Sequence, residues 1–211
     1  TKNANSTFIF RGSSSLSAAV SISSRTYGHL RFESTSGTWS PTPGGSTATT
    51  INGNLFIGNG VSLTGSTYTG TWTINGNVVV DGIMPSSTPI NAVFAGPLDT
   101  ISGSGTIRFG TLNVSGNYNL LSNMSATATN VSGTLNMNSN IVSGTSFTLA
   151  SGGTIGIGHL QGITSSGNQG NVQTSGTRTY NSNATYLYNG TGNQAAGSGL
   201  PASVANLTVQ N

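Results

Sequence analysis

Three carboxylates, Glu33, Asp81 and Asp99, and two imidazoles, His29 and His159, are all the carboxylate and imidazole side chains in 211 residues. Hydrolysis by paired carboxylates needs two acids within reach of one substrate. Asp81 and Asp99 are the one pair able to meet, across a Pro-bearing stretch, as a glycoside hydrolase or polysaccharide lyase on a β-helix would require. The plainer reading is of loop acids facing solvent. The two histidines are remote from one another, belong to no H-E-x-x-H array and have no cysteine to join them, so a transition-metal site is not expected. The Gly-rich run Ser151 to Gly158 lacks the lysine of a phosphate loop. Serine and threonine are abundant, but no G-x-S-x-G elbow stands beside a usable base. The expectation is a non-catalytic chain with no catalytic, metal or cofactor-binding residue.

Binding chemistry is better supplied. Flat aromatic rings stack on sugars, while Asn, Gln and Thr bond their hydroxyls. Tyr27, Trp39, Tyr68, Trp72 and Tyr118 are therefore the candidate glycan contacts, and packing into a core is the competing role for each. Trp39 and Trp72 sit in similar settings, Ser-Gly-Thr-Trp and Thr-Gly-Thr-Trp. Outward threonines would also suit an ice-binding solenoid, but a strict Thr-x-Thr on every coil is missing.

The elements that must carry these residues are β-strands. Charged residues make up 4% and Gly contributes 31 positions, so the Ala/Glu/Lys surface of amphipathic helices is lacking. Disorder shares the low hydrophobicity, but here apolar residues come in short alternating bursts between Gly and Asn turns. Leu112 and Val114 oppose Asn113; Trp72 and Ile74 oppose Thr71 and Thr73. Asn52 to Ile57 returns as Asn75 to Val80, 23 residues on, and the same offset relates Gly110 to Val114 with Gly133 to Met137, and Ser115 to Leu120 with Asn138 to Ser143. A period near this length suits one coil of a β-helix. The reading is all-β: a right-handed parallel β-helix (β-solenoid), with the repeated Leu, Val, Ile and Met inside and with irregular Pro-bearing loops bulging at 41–45 and 82–98. Glycines at Asn52-Gly53 and Asn75-Gly76 are expected to supply positive φ at corners. A hairpin-built sandwich would use the same Asn-Gly signals. One domain over 1–211 is the simplest division.

Six isolated bases against three acids give a formal charge of +3 without a stripe to follow phosphates, so nucleic acid is not an expected partner. The apolar bursts are far too short for direct membrane insertion. With no cysteine there is no disulfide framework. Asn-x-Ser/Thr motifs at Asn5, Asn113, Asn123, Asn130, Asn183, Asn189 and Asn206 matter only in a glycosylating host. The chain starts without Met and is expected to be a segment of a longer protein.

The C-terminal stretch runs Tyr186-Leu187-Tyr188-Asn189-Gly190-Thr191-Gly192-Asn193-Gln194, then Leu200-Pro201-Ala202 and Asn206-Leu207-Thr208-Val209. It resembles the Gly/Thr/Asn-rich β-strand repeats of secreted surface proteins from Bacteroidetes, in which a Y-x-G-x-G-x-Q stretch precedes a Pro-containing turn and an N-L-x-V strand. The remainder is similar in style to adhesin-like and autotransporter-like β-helices. That resemblance implies an extracellular or cell-surface stalk or adhesin segment. The alternating strand through Leu207 and Val209 offers a template for more β-structure, so further repeats or copies of the chain end to end are the expected partners. The alternative is a carbohydrate-binding module that meets cell-surface or environmental glycans through its aromatics.

Overall fold

Bursts of three to eight residues, alternating in polarity and closed by Asn, Gly or Ser, are too short to bury an apolar face alone, and they do so by stacking in parallel. The computed structural model describes residues 5–14, 19–65 and 67–210. Every paired strand among them is parallel, no helix occurs among them, and the chain winds as a β-solenoid of about 9 turns.

A ten-stranded sheet runs its whole length: Thr7–Ser13, His29–Ser36, Leu55–Ile57, Val78–Val80, Asp99–Ser102, Asn117–Leu120, Thr134–Asn136, Thr154–Ile157, Thr185–Tyr188 and Asn206–Val209. A second sheet climbs beside it from Thr26–Tyr27 to Val172–Thr174, with Arg178–Tyr180 paired further along the same neighbour, Val142–Leu149. A third has only three strands, Ala19–Ser21, Thr42–Gly45 and Thr67–Tyr68, and is confined to the first coils. The sequence also points to a strand from Leu16 to Ile22; residues 16–18 lie outside the described residues, and Ala19–Ser21 is a strand.

Losing the third sheet changes the girth of the coil. Stacked residues are 25 apart from His29 to Asn54 and 23 apart from Asn54 to Asn77. From Asn119 to Asn136, and from Asn113 to Asn130, they are 17 apart. The short sheet has no strand beyond Thr67–Tyr68 among the described residues; in the next coil Ser87 and Thr88 lie against Gly65, where a Cβ would stand 2.8 Å from Ser87 Oγ and 3.3 Å from Thr88 Oγ1. Pro85 and Pro89 flanking them have no N–H for a ladder, so no fourth strand follows. Later the step lengthens to 31, between Thr154 and Thr185, because His159 to Gly170 makes an excursion. Arg178 ties it down, its guanidinium donating to Thr164 O (3.1 Å) and Oγ1 (2.7 Å) and to Thr174 O (2.7 Å).

Rings fill coils of both widths. In the wide coils Phe32 stacks on Phe10 (5.4 Å between centroids) and on Trp72 (6.4 Å). The narrow coils bury Phe109, Tyr118 and Phe147 beside Val114, Val131, Leu135 and Met137. Each fully buried side chain of this kind stabilises the fold by ~1.5–3 kcal/mol. One inward column of the long sheet is apolar throughout: Phe8, Leu30, Leu55, Val78, Ile101, Leu120, Met137 just past the end of its strand, Ile157, Tyr188 and Val209.

Four expectations need correction. Leu112 pairs with Ala92 and Thr129 in the second sheet, whereas Leu135 pairs with Tyr118 and Ile155 in the long sheet, so their shared offset is not a stacking relation. Tyr118, likewise, stacks on Leu135 and not on Ile141. The prolines do not bulge at 41–45: Pro43 lies buried within Thr42–Gly45, and the 82–98 stretch contains the strand Asn91–Phe94. Gly53 and Gly76 do not have positive φ. They are small because successive corners nearly touch; a Cβ on Gly76 would stand 2.5 Å from the carbonyl carbon of Gly53.

Candidate functional site

All five candidate glycan-binding aromatics lie inside the coil. Exposures are 1% for Tyr27, 2% for Trp39, 6% for Tyr68 and 0% for Trp72 and Tyr118, so none offers a ring face to a sugar. Alternation explains this, since each occupies the same parity as its aliphatic neighbours. Trp39 lies against Gly12, where a Cβ would be 2.3 Å from the indole nitrogen. The Tyr118 hydroxyl donates to Ile74 O (2.9 Å) and accepts from Gly96 N–H (3.2 Å), joining three coils.

The acids are not brought together. Asp81 accepts from the N–H and hydroxyl of Ser104 one coil on (3.0 and 3.1 Å). Asp99 opens the strand that precedes Ser104, roughly 15 Å away at ~3.3 Å per residue, beyond the span of a carboxylate pair acting on one bond. Asp99 is paired in register with Tyr118 and its Oδ2 is buried with no hydrogen-bond partner, so burial raises its carboxyl above the usual range. His159 is turned onto its own loop, accepting from Gln161 N–H at Nδ1 (3.2 Å). Among the described residues no cluster of three metal-ligating side chains occurs, and no helix is long and apolar enough to cross a membrane.

The outer face of the long sheet carries a different cluster. Leu30 and Phe32 point inward, so His29, Arg31 and Glu33 point out; Leu55 and Ile57 point inward, so Asn54 and Phe56 point out. Parallel register then lines up Ile9, Arg31, Phe56 and Val79 across four coils. The guanidinium of Arg31 lies 4.2 Å from the centroid of Phe56, a contact worth ~0.5–1 kcal/mol at an exposed site. Glu33 holds the neighbouring cations in place. It accepts from Arg11 (2.7 Å) and from Arg31 Nε (2.8 Å), and Arg11 followed by Arg31 lowers its carboxyl pKa. Phe56 and Val79 line a shallow groove of ≈ 240 Å³ rimmed by Thr7, His29, Arg31 and Asn54.

A corner ladder fixes the rim. Asn54 N–H donates to His29 Nδ1 (2.9 Å), and Asn77 N–H donates to Asn54 Oδ1 (3.0 Å). With Nδ1 accepting, neutral His29 carries its proton on Nε2. None of these rim residues figured among the sequence-derived glycan contacts, although period-two alternation around Leu55 is enough to place Phe56 outside.

No known protein family, curated protein or solved structure matches the chain. The functional reading therefore rests on the geometry.

Proposed function

We propose that the chain is a non-catalytic stalk or adhesin-type segment of an extracellular surface protein, whose work is to hold length and present a face. The observation that carries this reading is the apolar inward column of the long sheet. It passes through the coils from Phe8 to Val209, and beside it runs the parallel column Tyr118, Leu135, Ile155, Tyr186 and Leu207. Such a column is indifferent to its length: a further coil, from the same polypeptide or another copy, meets the surface that each existing coil already meets. Tyr188, Gln194, Leu200, Leu207 and Val209 border an apolar hollow of ≈ 130 Å³. Scarce charge suits a rod whose coils must approach closely whatever the salt concentration.

The test is a tandem fusion of two copies, measured by small-angle scattering and electron microscopy. One continuous rod of doubled length is expected, and Leu207→Lys with Val209→Lys in the first copy should break it into two bodies. Two independently tumbling bodies from the unmodified fusion would remove the stalk reading.

A further inference from the structure

We infer that the groove between His29, Arg31, Asn54 and Phe56 is a binding site for an acidic saccharide, engaged through the carboxylate of a uronic-acid-type unit. The argument is an inventory of what the fold leaves unused. His29 Nδ1 is occupied by Asn54 N–H, which leaves Nε2–H as a donor. Asn54 Oδ1 is occupied by Asn77 N–H, which leaves its Nδ2 donors. Arg31 Nε is occupied by Glu33, which leaves the two terminal nitrogens, on a side chain 40% exposed and held in place over Phe56. Among the described residues these remaining donors have no partner, and with the Thr7 hydroxyl they rim a floor formed by Phe56 and Val79.

A rim dominated by donors calls for a ligand rich in acceptors. A planar guanidinium edge, fixed by its own Nε bond, matches a carboxylate in bidentate fashion. The apolar floor calls for a body with a flat carbon face. A hollow of this size is below that of drug-sized ligands and suits one ring-sized unit. An acidic peptide fits less well: the strands under the groove are already paired with their neighbours on both sides, so no row of free amides and carbonyls is offered for strand addition.

The site is independent of the stalk reading, since it needs only the first coils. Titration by NMR with trigalacturonate and with maltotriose, at low and at high salt, tests it. Binding of the acidic trimer is expected, with the neutral one at least about tenfold weaker, and Arg31→Gln should weaken the acidic trimer by about tenfold or more. Arg31→Lys, which keeps the charge and loses the fork, should fall between them. Arg108→Gln, on another sheet, removes the same charge and should change nothing. The thermal midpoint of each variant reports folding separately. Equal affinity for the two trimers, equal losses in Arg31→Gln and Arg108→Gln, retained binding in a folded Arg31→Gln, or equal binding of an Asp/Glu-rich peptide would each overturn the assignment.

Discussion

The side chain of Asn77 accepts two hydrogen bonds from Thr100 one coil on, from the backbone N–H at 2.8 Å and from the hydroxyl at 2.9 Å. Asn77 in turn donates its own N–H to Asn54. Replacing Asn77 with Ala strands both Thr100 donors and should cost ~1–3 kcal/mol. Urea unfolding of Asn77→Ala beside Asn52→Ala, whose side chain accepts from the Asn75 amide at 3.3 Å, checks this; the Asn77 variant should lose more.

Both tryptophans of the chain are buried, Trp39 at 2% and Trp72 at 0% exposure. Native fluorescence should be blue-shifted and resist acrylamide, becoming quenchable only on unfolding. Trp72→Ala empties the space between Phe32 and Tyr68 and should cost ~3–5 kcal/mol. Ready quenching of the native chain by acrylamide would contradict the packing.

Burial pushes the hydroxyls of Tyr118, Tyr186 and Tyr188 up to about 12, and raises that of Tyr180 as well. In the unfolded chain these groups ionise near ~10. The folded state therefore keeps protons that the unfolded state releases, and its stability is full below about pH 10 and declines as the pH rises toward 12. Tyr186→Phe, which gives up one bond to Asn181 O (2.8 Å), should soften that decline. The urea midpoint followed across this range, with tyrosinate absorbance as the second signal, measures it.

Gln194 folds back on its own loop. Its Oε1 accepts from Gly190 N–H (2.8 Å), and its Nε2 donates to Ile157 O (2.9 Å) and His159 O (3.1 Å) on the coil below. A Cβ on Gly190 would stand 2.4 Å from Gln194 Cδ. Gln194→Ala should cost ~1–3 kcal/mol, Gly190→Ala a similar amount, and the double variant less than their sum. Amide exchange in 189–196 should rise in all three. This contact gives the Gly and Gln of the Y-x-G-x-G-x-Q stretch a shared physical purpose.

The legible parts of the fold were those written locally or repeated at constant girth. Strand alternation around Leu112 and Leu207 is a property of the pleat, and the Asn52/Asn75 offset holds because both corners belong to coils of the same width. The offset failed at Leu112 and Leu135 because the third sheet had ended and the coil had shortened. A truer signal was present there: Asn113-Val114-Ser115-Gly116 recurs as Asn130-Val131-Ser132-Gly133, and Asn130 Nδ2 donates to Asn113 Oδ1 at 2.9 Å. The rim of the groove was harder to see. His29, Arg31 and Phe56 are unremarkable in sequence and meet only through a step of 25 residues that no shorter repeat announces.

The loss of the short sheet has a mechanical consequence. A beam resists flexure steeply with its width, so a rod built this way has no uniform stiffness. The coils from Arg108 to Leu149 are narrower than those around Phe32 and Trp72, so under a transverse load they are expected to flex more. The groove assigned to an acidic saccharide lies on the wider coils, so flexing of the narrow coils would leave its shape unchanged.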